Sequence, residues 1–223
     1  MARLPVDPEG FIRANLALER PAMVPEFRLW LASEYVPIWQ ATEAWLEEQN
    51  VDPPYWAFCW PGGQAIARYL LDHPDAVRGK RVIDFAAGSG VSAMAAAQAG
   101  AASVVANDID LLSLVAARLN AAANGLAVGL SADDWLAKPE TAPEADVVIA
   151  GDVCYEREMS ARALAWLRGH ANAGRLVLLG DPGRNYFSAQ GLEELARYEI
   201  PTSLQLENRG MRETVVWRVL PLA

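Results

Sequence analysis

The chain has 223 residues, 52% of them hydrophobic, and a formal net charge of −9. That length suits one domain burying roughly 70–75% of the surface its unfolded chain exposes. An acidic balance without a basic patch argues against grip on a nucleic-acid backbone, and no apolar run approaches the ~18 residues of a membrane span. Cys59 and Cys154 are too few and too far apart for a disulfide framework or a metal site, and His73 and His170 stand isolated, so no metal is expected. Residues 1–20 mix Asp7, Glu9 and Glu19 with Arg3, Arg13 and Arg20, unlike a secretory or transit segment, so the expected compartment is cytoplasmic.

In chain order, residues 1–52 read as a helical arm or lid without strands, with apolar positions at helical spacing over Phe11–Glu19 and Glu34–Glu48 and prolines between them. The aromatic, proline-rich PPYWAFCWPGG follows over Pro53–Gly63, then a helix over Gln64–Asp72. From there the pattern alternates: strand 81–86, helix 90–99, strand 103–107, helix 110–123, strand 127–131, strand 146–150, helix 157–169 and strand 175–180. Such repeats predict an α/β fold with a parallel sheet covered on both faces over residues 53–223. A helix is expected over 188–196. Tyr198–Leu206 and Glu213–Leu220 then read as an antiparallel hairpin turning at Asn208–Gly210.

Two apolar runs close on acids. In VIDFAAGSG (Val82–Gly90), Gly88 and Gly90 permit backbone angles and close ligand approach that side chains would block, and Asp84 is placed to bind the amino or ribose end of a nucleotide-like ligand. In SVVANDID (Ser103–Asp110), Asp108 is spaced to accept from ribose hydroxyls, while Asp110 suits the cap of the next helix. Asp133, Asp134 and Trp135 follow the third strand, where an acid and an aromatic ring suit adenine but equally suit an acidic turn over a buried tryptophan. Asp152 and Tyr155 end the fourth strand at the sheet lip. There Asp152 either meets a ligand or caps the following helix. Gly180–Phe187 reads as a tight turn with Arg184 exposed.

These segments in this order resemble the seven-β-strand, class I S-adenosylmethionine methyltransferases, whose sheet likewise ends in an antiparallel hairpin. Within them, PPYWAFCWPGGQAIARYLLDHPDAVRGK, EYVPIWQATE and GDPGRNYF resemble the electron transfer flavoprotein β-subunit lysine methyltransferases over nearly all the chain after about residue 22. The resemblance implies S-adenosyl-L-methionine as cofactor. It assigns VIDFAAGSG, with Asp84, Ala86, Gly88 and Gly90, to the methionine end, ANDID, with Asp108 and Ile109, to the ribose, and Asp134 with Trp135 to adenine. Trp60 would close over the methionine part, and Asp152 would touch both cofactor and acceptor, with Tyr155 beside it as the second catalytic candidate. Ala86 and Ala87 stand where many of these enzymes carry glycine; a positive φ there would strain alanine. The implied partner is a protein, the electron transfer flavoprotein β subunit, with GDPGRNYF and EYVPIWQATE walling the substrate entrance; Glu34 and Glu43 there read first as solvated helix charges and otherwise as acids that attract a lysine-bearing loop. A ribosomal protein or a small amine shares the same cofactor site. A nicotinamide-dependent dehydrogenase and a non-catalytic cofactor-binding scaffold are the readings of other classes.

Overall fold

Strands β3 (Arg81–Phe85), β4 (Ser103–Asn107), β6 (Val147–Gly151) and β7 (Leu176–Asp181) are apolar runs buried on both faces, the pattern of parallel strands flanked by helices. A computed structural model of the chain describes residues 5–32, 53–202, 207 and 210–222. With β5 (Gly129–Ser131), β8 (Leu192–Pro201) and β9 (Met211–Val219) these strands form a seven-stranded sheet in the order β5-β4-β3-β6-β7-β9-β8. β5, β4, β3, β6 and β7 pair in parallel; β9 runs antiparallel to β7, and β8 antiparallel to β9.

The two-residue period of the strands sorts their side chains onto two faces. Val82, Val147, Ile149 and Leu178 join the core under helices α2 (Pro61–Asp72) and α3 (Val91–Gln98). Ile83, Phe85, Val148, Val177 and Leu179 point the other way, to the core under α5 (Arg157–Asn172). Helix α4 (Leu111–Ala123) packs with α1 (Pro8–Asn15) and Trp56 in a third cluster. No described helix is long and apolar enough to cross a membrane.

Several expectations need correction. The first helix spans Pro8–Asn15, started by Asp7, whose carboxylate accepts from Gly10 N at 2.9 Å, and it stops before Glu19. Residues 17–19 instead form β1 (Ala17–Glu19), antiparallel to β2 (Leu29–Leu31), a ribbon where no strand is expected. Val24, Phe27, Leu29 and Leu31 lie in the main core, so the described part of the N-terminal segment is packed into the domain. The helix expected over Glu34–Glu48 lies outside the described residues, as do Glu34 and Glu43.

The expected helix over 188–196 is absent. Its second half belongs to β8, paired with β9 from Leu192↔Val219 to Pro201↔Met211 with an irregularity between Glu194 and Ala196. Leu-Glu-Glu-Leu-Ala-Arg has good helix propensity, but a long antiparallel partner overrides so weak a preference. β8 is an edge strand, and its exposed Glu193, Glu194 and Glu199 keep that edge from pairing with another chain.

Candidate active site

The sheet reverses its order between β3 and β6, with β4 and β5 on one side and β6 and β7 on the other. Open α/β sheets bind ligands in the crevice this creates at the carboxyl ends of the strands. The loop after β3 lies there, and three of its residues are left-handed: Ala86 (φ 53°), Gly88 (φ 52°) and Gly90 (φ 77°). Gly90 is glycine for two reasons, since a Cβ there would also lie 2.9 Å from Ala117 Cβ. Alanine at position 86 therefore does carry the strain that a positive φ imposes on an L side chain.

Gly90 starts α3 but has no side chain to cap it. Asp84, at the end of β3, does so from outside the helix, its Oδ2 accepting from Ala93 N at 2.9 Å. The side chain is almost fully buried, and burial pushes its carboxyl up to about 8, with the nearby charge of Asp108 adding to the rise.

Asp108 is a clasp on the same loop. Its Oδ2 accepts from Gly88 N at 3.0 Å and lies 2.7 Å from Ser113 Oγ, which is itself 2.9 Å from Gly88 O; Oδ1 accepts from Asp110 N at 3.0 Å. Burial pushes the Asp108 carboxyl up while these donors pull it down. Asp110 caps α4 by accepting from Leu112 N at 2.8 Å. Between them Ile109 turns outward and is 69% exposed. Farther along, Asp134 Oδ1 accepts from Leu136 N and Ala137 N, both at 3.0 Å, closing its own turn. Trp135 is fully buried and stacks on Trp166 at 6.0 Å, so in this conformation its ring belongs to the core and offers no face to a ligand.

The lip after β6 is built on Asp152, a non-glycine residue at φ 57°. Its Oδ2 accepts from Gly63 N at 3.1 Å in the first turn of α2, a helix whose own N-cap, Trp60, provides no side-chain cap. The sequence permits this approach only because glycine meets glycine. A Cβ on Gly62 would lie 2.3 Å from Gly180 O and 2.6 Å from Asp152 Oδ2, and one on Gly151 2.7 Å from Gly63 N. Asp152 does not cap α5; Glu156 does, accepting from Glu158 N and Met159 N.

The other face of the Asp152 carboxylate is held by Arg184. Nη2 is 2.8 Å and Nε 3.2 Å from Oδ1, while Nη2 and Nη1 also reach the Glu207 carboxylate at 2.8 and 3.2 Å. Arg212 Nε lies 3.1 Å from Glu207 Oε2, though not aligned for a hydrogen bond. Arg184, expected to be exposed, has a side chain only 15% exposed, because it bridges two carboxylates that are far from it in sequence. Burial pushes the Asp152 carboxyl up against the pull of this guanidinium. Burial also works to lower Arg184, but the two facing carboxylates outweigh it and raise it.

An aromatic wall completes the lip. The Arg184 guanidinium sits 5.4 Å from the Trp60 ring centroid; Trp60 packs with Phe58 at 5.6 Å and Tyr55 at 6.3 Å, and Tyr55 with Tyr155 at 5.7 Å. Trp60 Nε1 donates to Tyr55 O at 2.7 Å, which fixes the ring. Tyr55 and Tyr155 remain 56% and 49% exposed. Burial pushes the Tyr155 phenol up, with smaller contributions from Tyr55, Asp108 and Glu156, so the loop that holds Asp108 and the lip that holds Asp152 are within electrostatic reach of one side chain. The structure thus brings Trp60, Asp152 and Tyr155 to one lip and Asp84, Ala86, Gly88, Gly90, Asp108 and Ile109 to the adjoining loops. Trp135 is left in the core. Sequence reasoning missed Tyr55, Gly62 and Glu207; the Gly62–Gly63 pair after a proline was the available signal for a close backbone approach.

The comparisons accord with this architecture. The profile of the ribosomal protein L11 methyltransferase (PrmA) family matches residues 68–153. A relative from Xenopus laevis, named electron transfer flavoprotein beta subunit lysine methyltransferase, is 38% identical over 221 residues, covering 96% of this chain and 87% of its own. The chain belongs to that family. Its fold is the class I methyltransferase fold. The ribosomal protein L11 methylase of Lactobacillus delbrueckii subsp. bulgaricus superposes with a TM-score of 0.53 at 24% identity, covering 83% of this chain and 93% of that one. Magnesium protoporphyrin IX methyltransferase of Synechocystis with bound SAM does so at 0.52 and 19% identity, covering 71% of this chain and 77% of that one.

Proposed function

We propose that this methyltransferase uses S-adenosylmethionine to methylate a lysine side chain of a protein, the β subunit of electron transfer flavoprotein. The observation that carries the reading is end-to-end similarity to relatives named for that reaction, 38% identical over 96% of this chain in one case. The PrmA match ends at residue 153, before Arg184 and the hairpin, and so bears on the cofactor half rather than on the acceptor.

The residues at the switch point fit the cofactor. Asp108 offers a carboxylate to ribose hydroxyls, the exposed Ile109 next to it offers apolar surface to a nucleobase, and the left-handed backbone at Gly88 lets the loop come close to a ligand. Asp134 and Asp84 are the further acids for the adenine amine and the amino-acid end, and Trp60 covers the latter. When bound, the cofactor supplies an electrophilic methyl group on a sulfonium.

What the chain must do is present an amine with a free lone pair. A lysine with a pKa near 10.4 costs about 4–5 kcal/mol to hold neutral at pH 7. The Tyr55, Trp60 and Tyr155 rings form an aromatic wall at this lip, and an amine lying against it is partly desolvated, which disfavours the ammonium. Asp152 sits at its end to orient the amine by a hydrogen bond, and its own hold on Gly63 N and Arg184 keeps that carboxylate fixed. The phenol of Tyr155 stays protonated and acts as a wall.

The test is incubation of the purified protein with methyl-labelled S-adenosylmethionine and an extract containing electron transfer flavoprotein. One dominant labelled band at the β subunit, with lysine methylation located by mass spectrometry, is expected. Label on nucleic acid or small amines and on no protein would overturn the assignment.

A further inference from the structure

An acid beside the acceptor works against the reaction as well as for it. A lone carboxylate binds the ammonium form of lysine and raises its pKa, the opposite of what methyl transfer requires. Here the Asp152 carboxylate is not alone. Arg184 lies against it at 2.8 Å and continues to Glu207, beyond which stands Arg212. Both Arg184 and Glu207 are largely withdrawn from water, with side chains 15% and 4% exposed, so neither charge is screened as a surface charge would be. The guanidinium also leans on the Trp60 ring, so it stands at the junction of the acid and the aromatic wall.

We propose that Arg184 is a charge-compensating positioning residue: by holding Asp152 and Glu207, it lets Asp152 orient the acceptor lysine without locking that lysine as its ammonium ion. The proposal rests on the lysine-acceptor reading given above. It explains why a loop that reads as a simple turn returns an arginine to the sheet edge. Asp181 Oδ1 accepts from Gly183 N and Arg184 N, both at 2.7 Å, which bends the loop back.

Among the described residues, the remaining ionisable groups around the lip do not replace Arg184. Asp181 adds a carboxylate, pushed up to about 6 by burial and so charged at the pH of assay. With it, Asp152, Asp181 and Glu207 face Arg184 and Arg212, one negative charge in excess; without Arg184 the excess is two. The thiols of Cys59 and Cys154 are pushed up to about 12 by burial and stay neutral. Tyr155 stays a phenol, Tyr55 faces it, Asp108 accepts from Gly88 N and Asp110 N on the cofactor side, and Glu156 caps α5.

Two readouts test this with electron transfer flavoprotein as substrate: the pH profile of kcat at saturating substrate, which reports groups in the bound complex, and the protons released when the substrate binds enzyme saturated with S-adenosylhomocysteine, obtained by calorimetry in buffers of different ionisation enthalpy. Arg184→Gln should move the midpoint of the rising limb of that profile up by about 1 pH unit and reduce proton release, because the bound lysine keeps its proton. Arg184→Lys should return both toward wild type. Glu207→Gln, which removes a negative charge, should move both the opposite way, and it serves if Arg184→Gln folds poorly by circular dichroism. If Arg184 only braces the loop, Arg184→Lys and Arg184→Gln will lose rate alike with midpoint and proton release unmoved, which would overturn the proposal. Absence of lysine methylation by the wild-type protein would instead overturn the acceptor reading, and the proposal with it.

Discussion

Ala86 offers the most direct test of the site's backbone. It sits at φ 53° in the loop after β3, where an L side chain costs roughly 1–2 kcal/mol and glycine costs nothing sterically. Replacing it by glycine adds back about 0.5–1 kcal/mol of unfolded-chain entropy, so Ala86→Gly should stabilise the cofactor-free protein by about 0.5–1 kcal/mol. For a chain of this size that is a rise of about 1–4 °C in Tm. The neighbouring alanine is the control: Ala87 is not in the left-handed region and packs against the main core, so Ala87→Gly should destabilise by about 1 kcal/mol. Urea denaturation of the three proteins, followed by circular dichroism, measures both changes. If Ala86→Gly lowers stability as Ala87→Gly does, the strain argument at this loop is wrong.

Three further outcomes follow from the same geometry. Gly62→Ala places a Cβ 2.3 Å from the Gly180 carbonyl oxygen and 2.8 Å from Asp152 N, backbone that cannot yield easily, so denaturant titration should show a loss of about 1–3 kcal/mol together with reduced turnover. Asp108→Ala should weaken S-adenosylmethionine binding in calorimetry by about 1.5–3 kcal/mol, the scale of charged hydrogen bonds, and unchanged affinity would remove Asp108 from the site. Asp84, raised to about 8 from the ordinary carboxylate range near 4, binds its proton more tightly folded than unfolded, so its contribution is greatest at low pH and is lost as pH rises through about 8. Asp84→Asn should therefore flatten the fall in urea-measured stability between about pH 7 and 8, where Asp181 has largely titrated; an unchanged slope would show that Asp84 is not the group responsible.

The parallel core of the sheet was legible because β3, β4, β6 and β7 are continuous apolar runs, each ended by a helix signal, and such runs have few other places to go. Where local preference and distant pairing disagree, the sequence misleads. Leu192–Arg197 prefers helix and becomes strand because β9 lies alongside it. β1 and β2, three residues each, are too short for a period to register. The same holds in the site. Asp84 and Asp108 stand out as candidates because each closes an apolar run, whereas Arg184 reads as exposed because its carboxylate partners come from the residue after β6 and from the β8–β9 connection. Trp135 looked like a ring for adenine because nothing in its own segment reveals that Trp166 of α5 covers it.

Asp84 and Asp152 share a use that separates them from Asp108. Each ends a strand and accepts from the first turn of a helix that has no side-chain cap of its own, α3 behind Gly90 and α2 behind Trp60. A helix capped from the strand can begin with glycine or with proline and glycine, and its N-terminal turn can then lie against the sheet edge with no intervening cap residue. That closeness is what the glycines at 62, 63, 151 and 180 permit, and it puts the positive ends of both helices beside the crevice where the strand order reverses. The acids are therefore part of the scaffold before they touch any ligand. Replacing either by alanine removes a cap and a candidate site group together, so only charge-neutral isosteres such as asparagine can separate the two roles.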